Sequence, residues 1–302
     1  EGEIKPDPDV KLVTLLERAR KTIGDRFDDQ PRVKASILFT LGNAFADIGR
    51  YDASEESLKA ALATFREELG EEDPSSLNAM GCLAQTINDQ GRYAEAEKRF
   101  RELLEIQRRV LGEEAPGRLN AMGGLALAIK DQGRHAEAEQ LFRELVEIRR
   151  RVQGEEDPQT LDTMNNLAIA MIGQGRYAEA EQRYRELLEI RRRVQGEEHP
   201  DTLNGMHNLA LAIKRQERYA EAEQSYRELL EIRRRVQGEE HPDTLKAMHN
   251  LTDAIMHQGR LAEAERLYVE FLPVHERVRG EAHPGTLNTM NNLAHTIMAQ
   301  GR

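Results

Sequence analysis

The sequence predicts an all-α solenoid of antiparallel helix pairs. Three observations carry this. The chain repeats every 42 residues, each repeat holds two apolar patterns of helical period, and strand signals are absent. Arg218 to Leu245 reproduces Arg176 to Leu203 with one change, Ser225 for Arg183. The turn arginine recurs at Arg50, Arg92, Arg134, Arg176, Arg218, Arg260 and Arg302. Only 39% of the 302 residues are apolar and Trp is absent, which suits a thin stack better than a compact globule.

The elements follow in order. Residues 9–23, DVKLVTLLERARKTI, read as an amphipathic helix that covers the open end of the stack, within an N-terminal segment 1–30. Six units follow near 31–73, 74–115, 116–157, 158–199, 200–241 and 242–283, with a half unit at 284–302. The first helix of each unit (A) starts after Asp-Pro or His-Pro. The acid caps it and proline takes the first helical position. It ends near Gly91, Gly133, Gly175, Gly259 or Gly301, residues suited to a left-handed terminator. The second helix (B) spans about Tyr177 to Val194 and its counterparts. Acid comes first and arginine last, which complements the helix dipole. Pro273 is expected to kink or shorten its B-helix.

Several function classes fall away. The net charge is −11 and there is no basic tail, which argues against nucleic acid or an anionic membrane as partner. The single cysteine, Cys82, excludes an internal disulfide framework and points to a reducing compartment, the cytoplasm. No apolar run of 18 residues and no signal peptide is visible. A start at Glu1 rather than Met reads as a piece of a longer chain. His199, His241 and His283 sit in turns spaced about 10 Å apart, too far to share a metal, and are expected to cap helices. The Arg-Arg-Arg runs at 149, 191 and 233 read as a solvated or cross-paired face. No phosphate loop, nucleophile elbow or paired acid is present, so neither an enzyme nor a cofactor is expected.

Leu167-Ala168 with Tyr177, Ala180 and Tyr184 resembles the tetratricopeptide repeat, and the NNLA, QGRYAEAE and GEEHPDTL segments resemble the repeats of kinesin light chain. The resemblance covers about residues 31–302. It implies a right-handed superhelix that binds proteins in a concave groove, and similar arrays occur in bacterial signalling proteins, some fused to kinases. The family's usual tryptophan is replaced by Met80, Met122, Met164, Met206, Met248 and Met290. Its mid-B alanine is replaced by Leu103, Leu145, Leu187 and Leu229. Both changes imply looser, bulkier packing. Asn43 matches a second asparagine position of peptide-clamping relatives, but only once.

Comparing the repeats locates a candidate site. Counting helix A from Leu161 as position one, positions one, four, seven, eight and eleven stay apolar or small and form the packing face. Positions two, five, nine, twelve and thirteen vary, and fall within one stripe from about 20° to about 120° around the helix. By resemblance that stripe lines the groove. It holds Asn165, then Asn204, His207, Leu211, Lys214 and Arg215, then Lys246, His249, Asp253 and His257. Apolar Ile169, Ile172, Met256 and Met298 are interleaved with them, which favours a ligand site over idle surface. Position six is Asn166, Asn208, Asn250 and Asn292. These amides are expected either to grip a peptide backbone or to bond the neighbouring helix. Asp47, Asp89 and Asp131 lie in earlier units, whereas residues 204–257 are locally cationic. An acidic peptide or terminal carboxylate docking on Lys214, Arg215 and Lys246 is expected, with histidines raising affinity as pH falls. The alternatives are neutralisation of those cations by neighbouring acids, self-association through the terminal helix Leu287 to Gln300, or a regulatory arm of a signalling enzyme such as a kinase.

Overall fold

The computed structural model describes residues 11–24, 26–27 and 29–301. Fourteen helices and no strand occur among them. The lone leading helix is α1 (Leu12–Gly24). The A-helices are α2 (Pro31–Asp47), α4 (Pro74–Asp89), α6 (Pro116–Asp131), α8 (Pro158–Gly173), α10 (Pro200–Arg215), α12 (Pro242–His257) and α14 (Pro284–Ala299). The B-helices are α3 (Tyr51–Leu69), α5 (Tyr93–Val110), α7 (His135–Val152), α9 (Tyr177–Val194), α11 (Tyr219–Gln237) and α13 (Leu261–Arg279). The chain forms two compact units, Glu1–Val152 with α1–α7 and Gln153–Arg302 with α8–α14. Within each unit every helix packs on its neighbours in the chain.

Every A-helix carries proline at its start, where the missing N–H costs nothing. Asp73 Oδ1 accepts from Ser75 N at 2.8 Å, and Asp157 Oδ1 accepts from Gln159 N at 2.9 Å. His199 and His241 cap in the same way, each Nδ1 accepting at 3.2 Å, and His283 does so at 3.0 Å. The expected glycine terminators hold, Gly175 for instance at φ 76°. After α10 the place is taken by Glu217, a non-glycine at φ 62°.

The B-helix aromatics form the spine of each core. Phe100 and Phe142 are buried in the N-terminal unit, as are Tyr184, Tyr226 and Tyr268 in the C-terminal one. Truncating one such ring costs about 3–5 kcal/mol. The methionines from Met80 to Met248 are buried too, and Leu103, Leu145, Leu187 and Leu229 are closed off from solvent. The substitutions therefore fill the space between helices rather than loosen it. In the N-terminal unit Leu16, Ala19 and Ile23 of α1 lie against Leu41 and Phe45. Residues 9–10 of the expected helix, and Arg302, lie outside the described residues. Pro273 does not end its helix, because α13 continues to Arg279. Proline removes only the partner of the Val269 carbonyl, and Val269 and Pro273 both face solvent, which can hydrate it.

A second set of bonds explains why QGR and AEAE recur together. Glu181 of α9 is mostly buried, and its carboxylate accepts from Gln216 at 2.7 Å and Arg218 at 2.6 Å in the next turn. Glu97 with Gln132 and Arg134, and Glu223 with Gln258 and Arg260, repeat the arrangement. In the first of the set, burial alone would raise the Glu55 carboxyl. Bonds from Lys59, Gln90 and Arg92 outweigh burial and hold it at about 2.

Candidate peptide-binding surface

In the C-terminal unit the variable stripe lies on neighbouring A-helices, α8, α10, α12 and α14. Side chains at position five reach those at position six of the next A-helix. Asn208 Nδ2 stands 3.5 Å from Asn165 Oδ1, Asn250 Nδ2 3.5 Å from His207 Nε2, and Asn292 Nδ2 3.5 Å from His249 Nε2. These are long bonds, but they recur in register. Asn208, Asn250 and Asn292 thus face the neighbouring helix, the second of their two expected roles. Asn166, one repeat earlier, is half-buried and Leu211 is half-buried beside the row.

The structure separates the expected cations. Lys214 Nζ lies 2.8 Å from both Asp253 Oδ2 and Asn250 Oδ1, so the next A-helix neutralises it. Arg215 and Lys246 are exposed, and neither side chain has a hydrogen bond or ion pair among the described residues. Asn204 is occupied: its Oδ1 accepts from Arg233 Nη2 at 3.0 Å. His257 is exposed, stacks on Tyr219 at 4.8 Å and sits 3.6 Å from Asp253.

The expected histidine response is not supported by the geometry. His207 is only 4% exposed and packs edge-on against Tyr226 at 5.7 Å. Burial, with the charges of Lys246, Arg233 and Lys214, pushes it down to about 3. His249 is half-buried beside Tyr268 and is also pushed down by burial, although Asp253 opposes the shift. His207 therefore stays neutral at mildly acidic pH and cannot supply positive charge to a ligand there, and burial works against charge on His249 in the same sense.

Sequence reasoning missed the role of the first arginine in each run. Arg191 is 2% exposed and Arg233 is 1% exposed. Arg191 donates to Asp201 O at 2.7 Å and Asp162 Oδ1 at 2.9 Å, and Arg233 donates to Asp243 O and Asn204 Oδ1. In the N-terminal unit Arg149 does the same with Asn120 Oδ1 at 3.0 Å. The signal was available, since position two carries an acceptor wherever the run starts with arginine. In α12 and α13 both partners change together, to Lys246 and His275. A lysine facing an arginine would repel it, so the swap leaves the Lys246 ammonium in solvent. The later arginines pair outward as expected, Arg193 with Glu156 at 2.7 Å and Arg235 with Glu198 at 2.7 Å.

The N-terminal unit lines the same stripe differently. Position five is Gly81 and Gly123, position six is Cys82 and Gly124, and Asp89 and Asp131 stand at position thirteen. Burial raises the Asp89 carboxyl, and so does the charge of Asp131. No group that could hold a metal occurs among the described residues, and no described helix is long and apolar enough to cross a membrane.

The tetratricopeptide repeat matches residues 75–143, 123–193, 171–212 and 201–254 in one description, and 35–75 and 244–285 in another. Among solved structures, the nearly identical TPR-like repeats of a protein designated a kinesin light chain in Podosopora anserina match at TM-score 0.61. They are 27% identical, over 69% of this chain and 99% of that one. BtubC (BKLC) from P. vanneervenii matches at TM-score 0.64 and 20% identity, over 78% of this chain and 94% of that one. A Rap protein complexed with competence and sporulation factor matches at TM-score 0.60 and 12% identity, over 99% of this chain and 90% of that one. Curated protein sequences give no match.

Proposed function

Because the chain belongs to the tetratricopeptide repeat family, we propose that it binds another protein, taking an extended acidic segment along the A-helix stripe of its C-terminal unit. The fold is one that commonly mediates protein–protein interaction and is typically a non-catalytic scaffold. One observation carries the finer reading: Arg215 and Lys246 stand exposed and unpaired on that stripe, in a protein of net charge −11. Carboxylates of a partner would supply the missing charge-assisted bonds. Half-buried Leu211 beside them offers apolar contact. The fixed Asn–His row holds the stripe in shape, so little entropy is lost on this side when a ligand docks. A Rap protein of the same fold is complexed with a factor, which supports a binding role in kind and not in residues. The single cysteine, Cys82, supports a reducing compartment such as the cytoplasm as the setting for this role.

A fluorescent dodecapeptide of Glu, Ala and Leu, followed by anisotropy, tests this. The double variant Arg215→Glu/Lys246→Glu should lose binding by at least roughly tenfold, and added salt should weaken the wild type. Lys214→Ala should matter less, since Asp253 already holds that ammonium. Equal affinity of the double variant and the wild type would refute the acidic-segment reading. A second reading, self-association, is favoured by α14, where Leu287 is 51% and Met298 73% exposed. Mass that rises with concentration in light scattering would support it.

A further inference from the structure

Between α4 and α6 in the N-terminal unit a pocket of about 260 Å³ opens on the A-helix face. Phe100 and Leu103 of α5 form its floor, and Cys82 and Ala121 stand at its sides. Two glycines shape it for different reasons. A Cβ at Gly124 would fall 2.3 Å from Phe100 Cζ, so glycine there lets the outer end of the ring press close against α6. A Cβ at Gly81 would meet only Leu103, at an ordinary 3.5 Å. Packing therefore does not demand glycine at 81. Its effect is to leave open the space that Asn165, His207 and His249 fill in the other unit.

The second observation is Gln107, at the wall of the same pocket. It takes the place that Arg149, Arg191 and Arg233 hold in other repeats, yet makes none of their bonds. It is 3% exposed, its Oε1 has no partner, and its amide makes no hydrogen bond among the described residues. Buried amides are rarely left unsatisfied, and an unpartnered amide in the wall of a cavity, with its Nε2 beside Gly117 of the same lining, points to a ligand group that completes it. Whichever way the amide is turned, the end nearer the pocket is an N–H donor or a C=O acceptor, and a peptide group can answer either. The pocket is smaller than the roughly 300–1,000 Å³ typical of whole small-molecule sites, a size suited to a single side chain. Its lining is uncharged, and Asp89 and Asp131 on the same stripe disfavour an acidic guest.

We propose that this pocket is a subsite for one aliphatic residue of an extended peptide, whose side chain fills the space over Gly81 while the Gln107 amide bonds its backbone. It rests on the reading that peptides dock on the A-helix face, but it concerns the other unit and a neutral contact.

The probe is N-acetyl-leucine N-methylamide, one aliphatic side chain between two amides, titrated into the methyl-labelled full chain and followed by NMR. Saturable shifts at the Leu77 and Leu103 methyls are expected. Gly81→His installs the side chain that α10 carries at the same position and should abolish them. Gln107→Leu should weaken binding roughly tenfold, the worth of a good hydrogen bond. If Gly81→His misfolds, Gln107→Leu decides alone. The absence of saturable shifts, or shifts unchanged in the folded variants, overturns the subsite. The acidic dodecapeptide, added to the same sample, reads out separately at the Leu211 methyls, so failure of one reading is distinguishable from failure of the other.

Discussion

In the N-terminal unit position five of the A-helices is Gly81 and Gly123 and position thirteen is Asp89 and Asp131. In the C-terminal unit the same places hold Asn165, His207 and His249, then Arg215 and His257. The scaffold beneath does not change: Phe100 and Tyr226 are equally buried, and Glu97 and Glu223 take the same bonds from the following turn. One hairpin design thus carries an open, neutral-to-acidic face and a filled, cationic one. The residues that stack the hairpins are separable from those that line the stripe, so the stripe can diverge without disturbing the stack.

The contrast can be broken most severely at the buried arginine. Arg233→Ala strands two backbone carbonyls and Asn204 and should cost about 3 kcal/mol in urea unfolding followed by circular dichroism. The same truncation at Gln107, whose amide bonds nothing, should cost less. The glycines come next. Gly124→Ala drives a methyl into the Phe100 ring and should destabilise the N-terminal unit by about 1–3 kcal/mol, whereas Gly81→Ala should stabilise it by up to about 1 kcal/mol.

The histidine row gives a pH prediction. The neutral form of His207 is favoured by folding, since its native value of about 3 lies below the unfolded one near 6.5. Its contribution is therefore full above about pH 6.5 and is lost as pH falls toward 3. About 2 kcal/mol should disappear between neutral pH and pH 5. In His207→Asn, which copies Asn165, that slope should be shallower than in the wild type. Equal slopes would mean that the ring is not held neutral. Smallest is Glu217→Gly, which relieves a left-handed non-glycine and should add about 0.5–1 kcal/mol, seen as a higher melting temperature.

Much of this was legible in the sequence. The period fixes the hairpins, the Asp-Pro and His-Pro pairs mark the A-helix starts, and the B-helix read from Tyr177 to Val194 is α9 as found. The stripe was harder. Helical periodicity shows which side of one helix varies, but not how far the next A-helix overlaps it. Position five lies at that overlap, so His207 is engaged by Asn250 of the next A-helix. Position two is held by the buried arginine where one is present, as Asn204 is by Arg233. Lys246 at position two stays free because His275 stands in that arginine's place, and Arg215 at position thirteen stays free as well. Arg233 looked solvated because its charge was read without its acceptor 29 residues earlier, a spacing that only the folded hairpin closes.

Photo-cross-linking tests the central claim most directly, that partners dock on the A-helix face of the C-terminal unit. Benzoylphenylalanine is placed at Leu211 on that face, and in a second sample at Glu228 on the exposed side of α11. The acidic dodecapeptide should cross-link from residue 211 and not from 228. Cross-links from 228 alone would put the partner on the B-helix side and contradict the account.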